Sequence, residues 1–463
     1  MSTALLIYLA VLVVIAIRSA RRVKDIPDFF VARKGASAKA VAGSLVATIL
    51  GGSAVIGAID SGAKLGGAAS WFMLTGALGL LALVPFADRA YRHGKYSLPD
   101  LVESLYGKGP RLVASLVIPV AWTGIVAAQI IAAAKLLMTF TSFGYTTAAV
   151  ISAVVFTGYT LAGGQLSILR TDFLQACLIV LGLVVLAGFA LWGGASGDTA
   201  FGAATLSEIL RTAPAFPFHA NFTPLDLFLL VLTYGTTYTA GPDIFSRMFC
   251  AKDVATAKKA VAMAALTLVP VAFVIGFLAV YGAGLENVPG ARITAIADKV
   301  LPPALIPLVA LSLLSVVLSS ADTTLLSSSV ILCGLFRKKD GKEDAAGNSA
   351  QGIGLAGARV TILVNGIVAL LLALVFTDII GTLLLALAVY AGAFTVPILW
   401  GLLGLKAKPG FVALAIVSGG VLALAGKLCP AFPGGLGAHT GDILMVAAFI
   451  VNGIFLVIGR KND

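Results

Sequence analysis

Apolar runs of about 20 residues follow one another along almost the whole chain, each long enough to cross a hydrocarbon core of roughly 30 Å as a helix. That repetition makes lipid the solvent. The composition agrees: 59% hydrophobic and 11% charged residues, against roughly 25% charged in a soluble domain, with a mean hydropathy of +1.03. Hydropathy places spans near 3–17, 39–60, 70–88, 111–138, 145–162, 171–193, 223–245, 257–284, 301–335, 356–377, 379–404, 409–426 and 442–459. The expectation is an all-α polytopic membrane protein of about 13 transmembrane helices, with no stretch left for a separate soluble domain.

The opening run from Ala4 to Ile17 lacks a basic segment before it and a small-residue cleavage site after it, so it reads as a retained helix rather than a signal peptide. Cys177, Cys250, Cys333 and Cys429 are scattered singly, without a CxxC pair, and read as reduced packing residues. The net charge of +11 follows a pattern. With the N-terminus outside, the seven cytoplasmic segments hold 26 of the 32 Lys and Arg; the other side and the span interiors hold Lys64, Lys135, Arg211, Arg292, Lys299 and Lys427. This positive-inside bias predicts a multi-pass inner- or plasma-membrane protein with a cytoplasmic C-terminus. The basic charge therefore needs no nucleic-acid partner. Residues 337–351, rich in Lys, Asp, Gly and Ala, read as a flexible cytoplasmic connector.

Two spans carry breaks that an ordinary lipid-facing helix avoids, because freed backbone groups cost several kcal/mol in hydrocarbon. The second span contains Gly51-Gly52-Ser53-Ala54, and the seventh runs from Thr233 through Gly241-Pro242-Asp243. If spans 2–6 and 7–11 form two repeats, each break lies in the first helix of its repeat, and an odd helix number inverts one repeat against the other. The predicted organisation is an extra helix at 1–20, a first five-helix repeat at 39–193, an inverted second repeat at 223–404, and two further helices with a tail at 405–463. Glycine pairs also serve plain close packing of helices. Spacing alone carries the repeat, since the halves share no residue-level identity.

The ninth span holds Ser315, Ser319, Ser320, Asp322, Thr323, Thr324 and Ser327 to Ser329 inside an apolar run. Ser319, Asp322 and Thr323 share one helix face. Hydroxyls, a carboxylate and freed carbonyls are the oxygen ligands that hard cations need, although a single Ser or Thr commonly bonds back to its own helix. Asp322 is different, because an ionisable group at membrane depth costs about 2.5–3.5 kcal/mol and calls for a partner. Asp172, at the start of the sixth span, is a candidate partner or a helix N-terminal acid. Asp60 reads as a solvated charge at a span end. The histidines, His93, His219 and His439, all fall in loops, which argues against a histidine proton relay. No nucleophile with its base, metal cluster or phosphate loop is present, so an enzyme is not expected.

Four patterns in order resemble the sodium:solute symporter family: Gly51-Gly52-Ser53 with Ile56-Gly57; Gly163-Gly164 with Thr171-Asp172 and Gln175; Gly241-Pro242-Asp243 with Arg247 and Ala251-Lys252-Asp253; and Ser319-Ser320-Ala321-Asp322. The resemblance covers most of the chain. It implies the leucine-transporter-type fold, a 5+5 inverted repeat with one extra N-terminal helix, and sodium as the coupling ion without an organic cofactor. The sodium ligands implied are the carbonyls of Ala47, Leu50 and Val316 and the hydroxyls of Ser319 and Ser320. A second cation site is implied at Asp172, Ser319, Asp322 and Thr323. Asp322 replaces a hydroxyl or small residue of the sugar branch, which leaves a second sodium site, a proton site or an ion-free salt bridge open.

For substrate, the resemblance points to Gly52, Ser53 and Ala54 and to Tyr234, Thr237 and Tyr238. Gln129 on the fourth span is a further candidate, with interhelical hydrogen bonding as its structural alternative; Trp122 and Tyr390 could equally be interface anchors. Sugar carriers place acidic and amide side chains where Ser53 and Ala54 stand. Proline carriers have Asp at Ile49 and Trp at Ser53. The string Gly51 to Gly57 is nearer to the pantothenate and monocarboxylate carriers, which implies import of a small carboxylate-bearing solute such as a monocarboxylate, a pantothenate-like acid or an amino acid, by a monomer. The alternatives are a proton-coupled carrier, a passive carrier or channel, or a membrane sensor module.

Overall fold

The computed structural model describes residues 2–196, 211, 214, 216–285, 291–335, 355–428 and 440–461. Among them there are no β-strands, only three isolated bridges. The principal helices are α1 (Ser2–Ala20), α2 (Ala38–Ile49), α3 (Ser53–Asp60), α4 (Gly62–His93), α5 (Lys108–Phe140), α6 (Tyr145–Leu161) and α7 (Gly164–Gly193). The chain continues through α8 (224–240), α9 (Pro242–Met248), α10 (Val254–Ala283), α11 (Ile306–Leu335), α12 (Leu355–Val375), α13 (Ile379–Leu402), α14 (Pro409–Leu428) and α15 (Thr440–Ile458). Cys429, His439 and the connector at 337–351 lie outside the described residues.

Nine described helices are long and apolar enough to cross a membrane, or ten if α2 and α3, bent by 54°, form one span. Thirteen spans are not reached on length and composition, because α6 and the apolar part of α1 (Ala10–Ala20) are short and the seventh run is interrupted by a π-helical turn at Val231–Gly235 and a break at Gly241. Local chemistry sets several ends. Ser37 caps α2 through the Ala40 amide at 3.3 Å, and Thr223 and Asp226 form a capping box at the start of α8. Gly164, at φ +55°, turns α6 into α7; a β-carbon there would lie 2.5 Å from the Phe29 ring, so this corner requires glycine on both counts.

The burial pattern is that of a lipid-solvated protein. Large apolar side chains such as Val120, Val154 and Leu266 face outward, while Ser319, Ser328, Asp172, Asp322 and Arg247 are completely buried. The centre is α11, which packs against α5 and α7, while α14 and α15 pack on α13 at the periphery. Close approach there uses small residues. The Gly419 Cα faces the Gly392 carbonyl so closely that a β-carbon would stand 2.1 Å from it, and the Asn452 amide also donates to that carbonyl.

Candidate functional site

The break between α2 and α3 follows from i→i+4 arithmetic. In an unbroken helix the Ala47 and Thr48 carbonyls would accept from the Gly51 and Gly52 amides. Here the Ser319 hydroxyl donates to the Ala47 carbonyl at 2.9 Å, and the Ser320 hydroxyl donates to the Thr48 carbonyl at 2.8 Å. The Gly52 amide donates instead to the Gln129 Oε1 at 3.0 Å. Side chains from α5 and α11 thus take up the Ala47 and Thr48 carbonyls and the Gly52 amide, three of the backbone groups that the break frees, deep in the protein where each unmet group is costly.

This juxtaposition requires the glycines. A β-carbon at Gly51 would lie 2.6 Å from the Ser320 Oγ, and one at Gly52 would lie 2.7 Å from Ala132 on α5. The Val316 carbonyl is also in reach of Ser319, at 3.4 Å. Leu50 terminates α2, its amide bonded to the Val46 carbonyl at 2.9 Å, and the carbonyl that meets Ser320 is that of Thr48. The donor set is all oxygen, as sodium prefers. Ser319 has a second acceptor on its own helix, the Ser315 carbonyl at 2.7 Å, so its lone pairs can turn to a cation while its single proton stays bonded there; among the described residues the Ser320 hydroxyl bonds the Thr48 carbonyl alone.

Beside this cluster lies a buried charged group. Asp172 accepts from the Ser44 hydroxyl and lies 3.6 Å from the Arg247 guanidinium. Arg247 also donates to the Thr323 hydroxyl, to the Ser246 hydroxyl at 3.1 Å and to the Asp243 carbonyl at 3.2 Å. Thr323 in turn donates to Asp322 at 3.2 Å and stands 3.5 Å from the Thr48 hydroxyl. One oxygen of Asp172 and one of Asp322 meet no donor among the described residues. A guanidinium therefore sits on two of the residues expected at a second cation site. Removing one partner from such a buried set leaves an uncompensated charge.

The aromatic candidates form a second group. The Tyr234 and Tyr238 rings lie 5.0 Å apart, with Phe72 edge-on to Tyr234, and Tyr238 packs against the Gly76–Gly79 face of α4. Tyr390 stacks on Phe394, meets Trp122 edge-on at 4.5 Å and donates to the Ala240 carbonyl beside the second break. Thr237 bonds back to the Thr233 carbonyl at 2.7 Å. Ser53 and Ala54 are buried at the start of α3. Sequence reasoning missed Thr48, Ser44, and Tyr8 of α1, whose hydroxyl lies 2.7 Å from the Ser315 Oγ and accepts from Gln175. Asp60, expected to be solvated, is half-buried and accepts from the Arg292 amide at 2.8 Å.

The sequence pattern of the sodium:solute symporter family matches residues 29–409. The sodium/proline symporter of Haemophilus influenzae is 27% identical over 240 residues, covering 50% of this chain and 46% of that protein. The uncharacterized symporter YwcA of Bacillus subtilis is 26% identical over 287 residues, covering 57% and 52%. The chain thus spans about half the length of the curated relatives it matches. Among solved structures, the substrate-bound, outward-open state of a Na+-coupled sialic acid symporter superposes with a TM-score of 0.75 at 18% identity, over 100% of this chain and 99% of that one. Mhp1, a nucleobase-cation-symport-1 family transporter in a closed conformation, gives 0.58 at 15%, over 93% and 94%. These likenesses show the fold.

Proposed function

Since the chain belongs to the sodium:solute symporter family, we propose that it is a sodium-coupled secondary active symporter that imports a small carboxylate-bearing solute by alternating access, with sodium and solute as co-substrates. One observation carries the reading: Ser319 and Ser320 of α11 close directly on the Ala47 and Thr48 carbonyls of the broken helix. A sodium ion held between these oxygens and those of Val316 and Leu50 ties α11 to the break, so that occupancy sets the distance between the two elements. Coupling then requires that sodium bind one conformation better than the other, since equal affinity shifts nothing.

The solute lies on the other side of the same break, against Gly52, Ser53, Ala54 and Gln129, with Tyr234, Thr237 and Tyr238 opposite. A half-helix start such as α3 suits a carboxylate. Two of the similar proteins are named for proline and sialic acid, both of which carry one. Asp172, Asp322 and Thr323 form the second cation site: with Arg247 in place, two carboxylates against one guanidinium leave a single negative charge, which one monovalent cation balances. The functional unit is a monomer, its N-terminus outside and its C-terminus cytoplasmic.

The test is sodium activation of uptake. Ser320→Ala removes one oxygen ligand and should weaken sodium activation by roughly 1–3 kcal/mol, about 5- to 150-fold in the half-activating concentration. Ser329→Ala is the control, since among the described residues that hydroxyl bonds only its own helix, at the Leu325 carbonyl. Unchanged sodium dependence in Ser320→Ala would remove this residue from the ion site.

A further inference from the structure

We infer that the junction of α1 and α7 is a binding site for the headgroup of an anionic phospholipid. Arg18, Arg21 and Arg22 at the end of α1 converge with Arg170 near the start of α7 on one open cavity of about 610 Å³, completed by Ile15. The two helices are tied at that level by a hydrogen bond from Arg170 to the Ser19 hydroxyl at 3.4 Å. None of the four arginines pairs with a carboxylate among the described residues, although neighbouring Arg33 takes both Asp25 and Asp28. Four guanidinium groups around one cavity repel one another unless an anion lies between them. A phosphodiester is the anion that matches their planar donor forks.

The apolar surface beside the cavity points to a lipid rather than a soluble phosphate. Along α1, exposed Ile7, Val11 and Val14 lead at helical spacing to Arg18 and Arg21. Along α7, Arg170 is followed at the same spacing by exposed Phe173, Cys177, Leu181 and Val184. Both helices thus present a charged end that continues into an apolar stripe, which is the profile of a headgroup with its acyl chains. Basic pockets between helices at the cytoplasmic face bind such headgroups.

The probe is dioleoyl phosphatidylglycerol, titrated onto the purified full chain in nonionic detergent and counted by native mass spectrometry. The site predicts retention of phosphatidylglycerol over phosphatidylcholine, with affinity falling about fivefold for each arginine removed in Arg18→Gln, Arg170→Gln and the R18Q/R21Q/R170Q combination. The single variants, one on each helix, carry the test if the combination does not fold. Lys258→Gln with Lys259→Gln, exposed on the same assigned face, should leave retention unchanged. Equal retention by the arginine variants, an equal loss in the lysine control, or binding of sn-glycerol 3-phosphate as tight as that of the lipid would each overturn the assignment.

Discussion

Gln129 shows how much one side chain can carry at a helix break. Its Oε1 is the acceptor for the Gly52 amide, so Gln129→Leu leaves that amide buried without a partner, at a cost of about 1–3 kcal/mol. The expected result is a lower unfolding temperature of the detergent-purified protein together with impaired uptake; an unshifted unfolding curve would show that the amide finds another acceptor. Ser319, Ser320 and Ala47 are legible through the family resemblance rather than by the residue pattern alone, and the structure brings Ser319 onto the Ala47 carbonyl and Ser320 onto the adjacent Thr48 carbonyl. Thr48 is legible in principle, since its carbonyl, four residues before Gly52, is the one that loses the Gly52 amide. Arg247 follows the Gly241-Pro242-Asp243 break, and the charge distribution along the chain places it with the cytoplasmic segments. The structure buries it completely, because its partners Asp172 and Thr323 come from α7 and α11, more than 70 residues away in either direction.

At the scale of elements, boundaries followed hydropathy well where a helix is continuous and poorly where glycine or a π turn divides it, since hydropathy reports burial in lipid and not backbone continuity. Packing between elements depends on small residues that hydropathy also overlooks. Gly419→Ala would press a methyl group into the Gly392 carbonyl, forcing α14 off α13 at an expected cost of about 1–3 kcal/mol, read as a lower thermal unfolding midpoint; an unchanged midpoint would mean that the pair separates freely. Outside the spans, the segment after α1 is held by Asp28. Burial works against ionisation of its carboxyl, but the hydrogen bond from Arg33, the Lys24 amide and the Arg33 charge together hold it below the ordinary carboxylate range. A depressed pKa contributes stability that is present above the ordinary carboxylate pKa of about 3.9 and lost as pH falls through the folded value. Asp28→Asn should therefore lower the unfolding midpoint at neutral pH, with the difference vanishing in acid. A difference independent of pH would assign the effect to packing.

For the whole molecule, the first break and the segment after the second break both bond to the buried hydroxyl helix, the charged group lies against it, and large apolar side chains cover the exterior. The class of fold was readable because a membrane leaves the backbone few options. The occupant of the centre was not, because residues from α3, α5, α8 and α13 meet there and no single stretch of sequence contains their mutual geometry. The central claim is that sodium drives solute entry. Its most direct test is uptake by proteoliposomes of a panel of carboxylates, amino acids and sugars, with and without an inward sodium gradient. The account predicts that a carboxylate-bearing solute accumulates only when the gradient is present; equal uptake with and without sodium would contradict it.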